Sequence, residues 1–162
     1  MSDSGTDMKR RLAVTMACHN RRELTLKCLR SLFSQTNESL SIEVHLFDDG
    51  STDDTRESVL REFSAVTVIQ GDGSAFWGGG MHGAMNSALS TDFDDILWLN
   101  DDVALDSDAL TALFSAQLEA KQSQPPTDHI IVGALREPNL EKISYGGYRR
   151  RSWIDPHGTK PA

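Results

Sequence analysis

Cysteine, positive charge and long apolar runs are all scarce in this sequence, and each shortage excludes a class of protein. The two cysteines, Cys18 and Cys28, show neither CxxC spacing nor a matching histidine pattern, so a reduced, cytoplasmic setting is favoured over a zinc cluster. The chain has 16 Lys and Arg against 24 Asp and Glu, a formal net charge of −8, which argues against a nucleic-acid binder. No apolar run approaches the ~18 residues of a membrane-spanning helix.

The length and composition of the chain are typical of a protein with one globular core. With 162 residues, 38% of them hydrophobic, the chain is long enough for one core and too short for two comfortable domains. Residues 1–10 are polar and lack the apolar segment of a signal peptide, so we predict a flexible leader there. We expect a single domain over residues 11–150 and a polar, turn-rich tail over residues 151–162. The protein is expected to be soluble, and work beside a membrane stays open.

Short apolar runs alternate along the chain with segments whose apolar residues recur at helical spacing. The predicted strands are residues 12–17, 42–47, 66–69 and 96–100, and the predicted helices are residues 21–33, 53–63, 78–89 and 107–119. This alternation predicts an α/β fold with a mainly parallel, Rossmann-like sheet and helices on both faces. A fifth strand is predicted at residues 129–135, and an edge strand near residues 143–148.

Polar residues follow each predicted strand. In a parallel α/β sheet the ligand lies beyond the carboxyl ends of the strands, so these residues are the candidates for a site. They are Cys18-His19-Asn20, Asp48-Asp49, Gly71-Asp72-Gly73 and Asn100-Asp101-Asp102. The spacing of Cys18, His19 and His82 does not indicate zinc, and ordinary packing or capping is the preferred interpretation of all three.

Two pairs of adjacent aspartates stand among these candidates. Asp101 and Asp102 repel each other unless a cation or a hydrogen-bond donor lies beside them. A hard divalent ion such as Mg²⁺ or Mn²⁺, with phosphate oxygens completing its shell, would meet that need, and a solvated turn is the alternative. Asp48 and Asp49 suit hydrogen bonds from a nucleobase or a ribose, or else an Asx turn with a helix cap.

Glycine is concentrated between residues 71 and 81, where the sequence reads GDGSAFWGGGM. Three consecutive glycines at a helix start let the backbone approach a ligand closely and leave N–H groups for an anion. The stretch is neither a Walker A loop nor a GxGxxG fingerprint. The alternative is a flexible turn in which Phe76 and Trp77 fill the core.

Four segments of the chain resemble family 2 glycosyltransferases in their order and spacing. They are VTMACHNRRELTLKCLRSLFSQ, EVHLFDDGSTDDT, GDGSAFWGGGMHGAMNSAL and ILWLNDDVAL. The FWGGGM and LNDD motifs are most similar to the bacterial rhamnosyltransferase-like branch. The likeness covers residues 12–110, with a weaker match at YGG, residues 145–147.

The resemblance implies a GT-A fold that binds a nucleoside-diphosphate sugar, UDP- or dTDP-linked, with Mg²⁺ or Mn²⁺. The implied reaction is inverting transfer of the sugar to a hydroxyl of a saccharide or lipid-linked acceptor. Carried over by position, Ala17, Cys18 and Asn20 would line the nucleotide site, and Asp49, with Asp48, would contact the base.

The remaining roles implied by the resemblance concern the sugar, the diphosphate and the metal. Trp77, Gly78 and Gly79 would lie near the sugar and diphosphate. The D-x-D motif of the family corresponds here to N-D-D, so Asp102 is expected to bind the metal and Asp101 to contact the ribose or support the metal ligand.

The catalytic base is not assigned by the resemblance. In the family it comes from an acidic motif well downstream of YGG, and Asp155 does not match that motif. We therefore expect a nucleotide-sugar-binding portion that stops before the acceptor-binding region, and its activity in transfer stays open. A homodimer could cover apolar surface left by the missing region.

Two other functions are kept as alternatives. One is a non-catalytic module that holds a nucleotide or nucleotide sugar without transferring it. The other is a phosphoacceptor domain, which is less favoured because the sequence has no Lys at a strand end.

Overall fold

The computed structural model describes residues 9–35, 39–122, 129–137, 143–145, 148–150 and 159–161. The first eight residues of the predicted leader, Gly146, Gly147 and most of the predicted tail, with Asp155, lie outside the described residues. The chain forms two compact units, Met1–Ser107 and Asp108–Ala162. Within the described ranges, no helix is both long and apolar enough to cross a membrane.

The first unit is built on a four-stranded parallel sheet. Its strands are β1 (Arg10–Cys18), β2 (Leu40–Asp48), β3 (Val66–Gln70) and β4 (Asp95–Trp98), in the spatial order β3-β2-β1-β4. The helices between them are α1 (Arg22–Phe33), α2 (Thr55–Glu62) and α3 (Phe76–Ala88). The chain steps outward from β1 to β3 and then returns to β4, so right-handed connections put α1 and α2 on one face and α3 on the other. The predicted α/β fold with a parallel, Rossmann-like sheet is confirmed.

Strand β1 lies at the centre of the core. It pairs with β2 along its whole length, from Arg10 opposite Leu40 to Cys18 opposite Asp48, and with β4 on its other side. All of its residues from Leu12 to Cys18 are buried. A strand covered on both faces needs such a continuous apolar run, which is why the sequence LAVTMA predicted it.

Phe47 and the glycines around it fix how α3 lies on the sheet. A Cβ added at Gly83 would stand 2.5 Å from two ring carbons of Phe47. One added at Gly80 would stand 2.9 Å from the Cβ of Ala17 and 3.3 Å from the Phe47 ring. These glycines therefore let the backbone of α3 lie close against β1 and β2. That closeness explains glycine inside a helix, where it costs about 1 kcal/mol relative to alanine.

The first turns of α1 and α2 are joined by Asp53. Its carboxylate accepts hydrogen bonds from the Arg22 N–H at 2.9 Å and from the N–H and hydroxyl of Thr55 at 3.2 and 2.5 Å. Burial raises the pKa of Asp53, but these hydrogen bonds outweigh burial and hold the pKa below its ordinary value. At the other ends of the helices, the rings of Phe33, the last residue of α1, and Phe63, which follows α2, stack with centroids 5.3 Å apart. The two helices are thus linked at both ends.

The described part of the second unit contains the helix α4 (Ala109–Gln122) and two antiparallel strand pairs. In the first pair, β5 (Leu135–Arg136) lies against β6 (Ile143–Tyr145), and in the second, β7 (Tyr148–Arg150) lies against β8 (Thr159–Pro161). The residues predicted as an edge strand near 143–148 therefore contribute to these short pairs.

The fifth strand predicted at residues 129–135 is wrong except at its last residue. Residues 129–134 have no regular secondary structure, and Ile130 and Val132 are 93% and 54% exposed. An apolar run becomes a strand only where a neighbouring strand completes its ladder of hydrogen bonds. In this unit that ladder forms at Leu135 and Arg136.

Two glycine-to-alanine substitutions in α3 test this packing. Because a methyl group at Gly83 would collide with Phe47, Gly83→Ala should lower the free energy of unfolding by about 1 to 3 kcal/mol. A Cβ at Gly78 would meet nothing within 4 Å, so Gly78→Ala should leave that free energy unchanged or raise it by up to about 1 kcal/mol. Urea unfolding followed by circular dichroism measures both. Equal effects of the two substitutions would contradict the packing.

Candidate ligand site at the carboxyl edge of the sheet

Three strands of the sheet end side by side at one edge. β1 ends at Cys18, opposite Asp48 at the end of β2, while β4 ends at Trp98, opposite Thr15 on the other side of β1. Strands β1 and β4 flank the point where the connections reverse direction. The loops diverge at such a point and leave a crevice in which ligands bind. The fold therefore brings the predicted candidate loops to a common edge.

The turn after β4 is held against the core by two hydrogen bonds. The Leu99 N–H donates to the Thr15 carbonyl at 3.1 Å, and the Cys28 thiol donates to the Asn100 carbonyl at 3.3 Å. Burial raises the pKa of Cys28 to about 12, so the thiol keeps its proton and stays a donor. These contacts fix the backbone that carries the second aspartate pair.

Asp101 and Asp102 share one cation, the guanidinium of Arg21. Its Nη1 atom donates to Oδ1 of Asp101 at 3.3 Å and to Oδ2 of Asp102 at 3.2 Å. Asp101 is buried, whereas the Asp102 side chain is 48% exposed. Burial raises the pKa of Asp101; Arg21 opposes this rise and Asp102 adds to it. The cation or donor that the sequence predicted beside this pair is thus Arg21, a residue that the sequence pattern did not single out.

The geometry of this pair suits a hard divalent ion. Both carboxylates contact the same nitrogen atom, so two oxygens from adjacent residues converge on one point. Two carboxylates are a usual protein share of a Mg²⁺ shell, and substrate phosphates and water supply the rest. Within the described residues, no group of three or more His, Cys, Asp and Glu side chains is placed to hold a metal. The binding of a metal by Asp102 therefore stays a prediction.

Asp49 caps the start of α3. Its Oδ1 accepts hydrogen bonds from the N–H groups of Gly73 and Ala75 at 2.9 and 3.3 Å, and its Oδ2 accepts one from Phe76 at 2.9 Å. The residue is only 5% exposed. A negative charge is favourable at a helix N-terminus, where N–H groups lack partners within the helix. Asp49 therefore orders the glycine-rich loop, and its predicted contact with a base stays a prediction.

Asp48 shapes the turn after β2. Its Oδ1 accepts a hydrogen bond from the Ser51 N–H at 3.0 Å, and its carbonyl accepts from Gly50 and Gly71 at 2.9 and 2.7 Å. Gly50 has a φ of +68°, and a Cβ there would stand 2.8 Å from the nitrogen of Gly73. Only glycine fits both the backbone angle and the space. The buried Asp48 thus holds this turn through both its side chain and its carbonyl.

His19 and Asn20 join the loops after β1 and β2. The His19 ring lies 2.6 Å from the Asp49 carbonyl through Nδ1 and 3.0 Å from the Asn20 amide nitrogen through Nε2. A neutral ring that donates from Nδ1 and accepts at Nε2 satisfies both contacts. Asn20 also accepts a hydrogen bond from the Thr52 N–H at 2.8 Å and donates its own N–H to the Ser51 hydroxyl at 2.9 Å. Both ring nitrogens of His19 are therefore used within the chain.

Ala17 and Cys18 form the buried end of β1. The methyl group of Ala17 faces Gly80 of α3. Burial raises the pKa of Cys18 far above its ordinary value, and Asp48 and Asp101 raise it further. The thiol is therefore protonated at neutral pH and is not a nucleophile. The predicted part of these two residues in lining a nucleotide site stays a prediction.

The first turn of α3 faces open space. Trp77 is 57% exposed, and a Cβ at Gly78 would meet nothing within 4 Å. At Gly79 the nearest atom would be the Ala75 Cβ at 3.2 Å. Phe76 is 81% exposed, so the alternative in which Phe76 and Trp77 fill the core is wrong. Among the residues that the structure describes, no packing contact explains the glycine at position 78.

Trp98 lies beside Trp77, and the sequence did not single it out. The two rings meet edge to face with centroids 6.4 Å apart and an interplanar angle of 74°. Trp98 is 57% exposed, although it belongs to the apolar run ILWLN that predicted a buried strand. Only its position at the end of β4 places it at the candidate site.

An open groove of about 440 Å³ lies at the N-terminus of α1. Asn20, Arg21 and Asp53 are among the residues that line it. Its volume lies within the range of small-molecule sites. Arg21 therefore borders both the groove and the aspartate pair.

The family model described as "Glycosyl transferase family 2" matches residues 13–155. No curated protein matches the chain. Among solved structures, S. aureus TarS 1-349 is similar with a TM-score of 0.58 at 21% identity, over 68% of this chain and 33% of that one. Its complex with UDP-GlcNAc gives a TM-score of 0.58 at 22% identity, over 68% and 32% of the two chains.

A third solved structure is the mannosyltransferase PcManGT from Pyrobaculum calidifontis in complex with GDP-Man and Mn²⁺. Its TM-score is 0.52 at 23% identity, over 65% of this chain and 32% of that one. At such identities the likeness concerns the fold alone. The present chain spans about a third of the length of each of these structures.

Substitution of Asp49 tests its capping role. In Asp49→Asn one carboxylate oxygen becomes an amide that cannot accept a hydrogen bond, so we expect a loss of about 1.5 to 3 kcal/mol in the free energy of unfolding. Urea unfolding measures this loss. The control is Asp72→Asn, whose exposed carboxylate caps only Ser74 and whose effect should be much smaller. Asp49→Asn with no more effect than this control would contradict the capping role.

Proposed function

The chain belongs to glycosyl transferase family 2, and on that premise we propose that the carboxyl edge of its sheet binds a nucleoside-diphosphate sugar together with Mg²⁺ or Mn²⁺. One observation carries the proposal: the carboxylates of Asp101 and Asp102 converge on a single cation position, 3.3 and 3.2 Å from the same Arg21 nitrogen. The turn that holds this pair follows β4, at the same edge of the sheet as the open first turn of α3.

Asp102 is the proposed metal ligand, because its half-exposed side chain can reach an ion that a diphosphate also binds. The buried Asp101 suits a contact with the ribose or support of the metal ligand. A divalent ion held here would stabilise the negative charge that develops on the leaving diphosphate. The solved mannosyltransferase that holds GDP-Man and Mn²⁺ supports this pairing of a metal and a nucleotide sugar in the same fold.

In this proposal the base and ribose lie over the loops after β1 and β2. Asn20 lines the open groove, and Ala17 and Cys18, at the buried end of β1, are the other proposed residues of the nucleotide site. Asp49, with Asp48, is the proposed contact to the base. A carboxylate has about four lone-pair positions, and Asp49 uses three of them on backbone N–H groups. One N–H of a base can therefore still be accepted.

The sugar and diphosphate lie, in the same proposal, against the first turn of α3. Glycine at position 78 has no packing contact with the described part of the chain, so space for a ligand is the reason that we assign to it. Gly79 extends this surface. The rings of Trp77 and Trp98, each 57% exposed, add the apolar faces that commonly line small-molecule sites.

The proposed reaction is inverting transfer of the sugar to an acceptor hydroxyl, with a UDP- or dTDP-linked donor. The motifs FWGGGM and LNDD support the rhamnosyltransferase-like branch. A carboxylate base must take the proton of the acceptor hydroxyl, and the matched motifs of this sequence do not include it. The catalytic base and the acceptor site therefore stay unassigned. The alternative function is binding of the nucleotide sugar without transfer.

Calorimetric titration of UDP, dTDP and GDP, each with and without Mn²⁺, tests the site. The wild type should bind at least one nucleotide more tightly with Mn²⁺. Asp102→Asn should weaken that binding by at least tenfold, about 1.4 kcal/mol, because the exposed metal ligand loses its charge. The control is Asp92→Asn, an exposed carboxylate that pairs with Arg11 before β4. The proposal would be contradicted if wild type and Asp102→Asn bound the nucleotide equally well in Mn²⁺, or if no nucleotide bound at all.

A leucine at Gly78 tests the assignment of that open space. Gly78→Leu should keep the fold, because nothing in the chain occupies the space, and should weaken nucleotide binding in Mn²⁺ by at least about tenfold through steric exclusion. Asn86→Leu adds the same side chain at an exposed position further along α3 and should bind like the wild type. Unchanged affinity in Gly78→Leu would remove the first turn of α3 from the site.

A further inference from the structure

Arg21 occupies the position between Asp101 and Asp102 that a metal ion would need. One of its nitrogen atoms contacts both carboxylates. On the premise of the proposed function, we infer that Arg21 is a positioning residue that holds this pair until ligands arrive. A divalent ion alone then binds weakly, and it binds well only together with a diphosphate.

The charges at the site explain why a divalent ion would bind weakly alone and well with a diphosphate. The two carboxylates and Arg21 together carry one net negative charge. A divalent ion added alone would make the site positive and would lie against the guanidinium, which costs free energy because like charges at contact distance repel. A nucleoside-diphosphate sugar brings two negative charges on its phosphates, so metal and donor together restore the original net charge.

The structure also indicates which group moves. The Arg21 side chain is 50% exposed, whereas that of Asp101 is 9% exposed. The backbone of the turn is fixed by the bonds from Leu99 and Cys28. At 3.2 and 3.3 Å the contacts of Arg21 are long for charged partners, which prefer about 2.7 to 2.9 Å. Arg21 also borders the open groove, so it can leave the pair without any movement of the carboxylates.

Arg22 provides a matched control. It is the next residue, and its guanidinium donates to Glu23 at 3.0 Å and to the Asp53 carbonyl at 3.2 Å. The Arg22 side chain is 40% exposed. A substitution there removes one positive charge from the same loop without touching the aspartate pair.

Mn²⁺ binding measured by electron paramagnetic resonance on the protein without nucleotide tests the inference. Wild type should bind Mn²⁺ weakly, and Arg21→Gln should bind it at least about tenfold more tightly, because the competing charge is gone. Arg22→Gln should bind Mn²⁺ as the wild type does. Arg21→Lys keeps the positive charge, so its affinity for Mn²⁺ should be almost as low as that of the wild type. Circular dichroism of each variant checks that the fold is kept.

A second titration, with UDP, dTDP or GDP present, separates this inference from the proposed function. Wild type should gain at least about tenfold in Mn²⁺ affinity when the nucleotide that it binds is added, and Arg21→Gln should gain much less. If the wild type binds Mn²⁺ equally well with and without that nucleotide, or if Arg21→Gln binds Mn²⁺ alone no more tightly than the wild type, the role of Arg21 is overturned while the metal site stands. If neither protein binds Mn²⁺ under any of these conditions, both proposals fail.

Discussion

The buried carboxylate of Asp49 holds together the loops on which the candidate site depends. Its oxygens accept the N–H groups of the glycine-rich loop and of the first residue of α3. Its own N–H donates to the Cys18 carbonyl at 2.9 Å, and its carbonyl accepts from His19 at 2.6 Å. One residue therefore links the ends of β1 and β2 to the start of α3. Opening these loops would break several hydrogen bonds to a charged group, each worth about 1.5 to 3 kcal/mol.

The aspartates after β4 are held in a different way. Backbone N–H groups satisfy Asp49, whereas a half-exposed side chain, Arg21, satisfies Asp101 and Asp102. A backbone partner stays in place, but a side chain can be exchanged for another cation. At this edge, the start of α3 is thus held by backbone hydrogen bonds, whereas the aspartates after β4 are held by a side chain that can move away. In the proposed function, the metal and the diphosphate would bind between these two parts of the edge.

The sequence predicted the order of the elements from β1 to α4, because short apolar runs and amphipathic segments follow directly from burial on two faces of a sheet or on one face of a helix. It failed at residues 129–134, since an apolar run cannot show whether a neighbouring strand will complete its ladder. It predicted that the second aspartate pair needs a cation or a hydrogen-bond donor but could not name Arg21, which lies 80 residues away in the chain. The sequence also could not predict that Trp98 is exposed, because this depends on where β4 ends and on what covers that end.

A crystal structure with UDP, dTDP or GDP and Mn²⁺, with the metal located by its anomalous scattering, would show whether metal and diphosphate bind together at this edge. We expect one Mn²⁺ peak within coordination distance of Asp102 and of the diphosphate, with Arg21 no longer between the carboxylates and with Asp49 still capping α3. A nucleotide bound away from this edge, or Mn²⁺ held by other residues while Arg21 keeps both aspartates, would contradict this expectation.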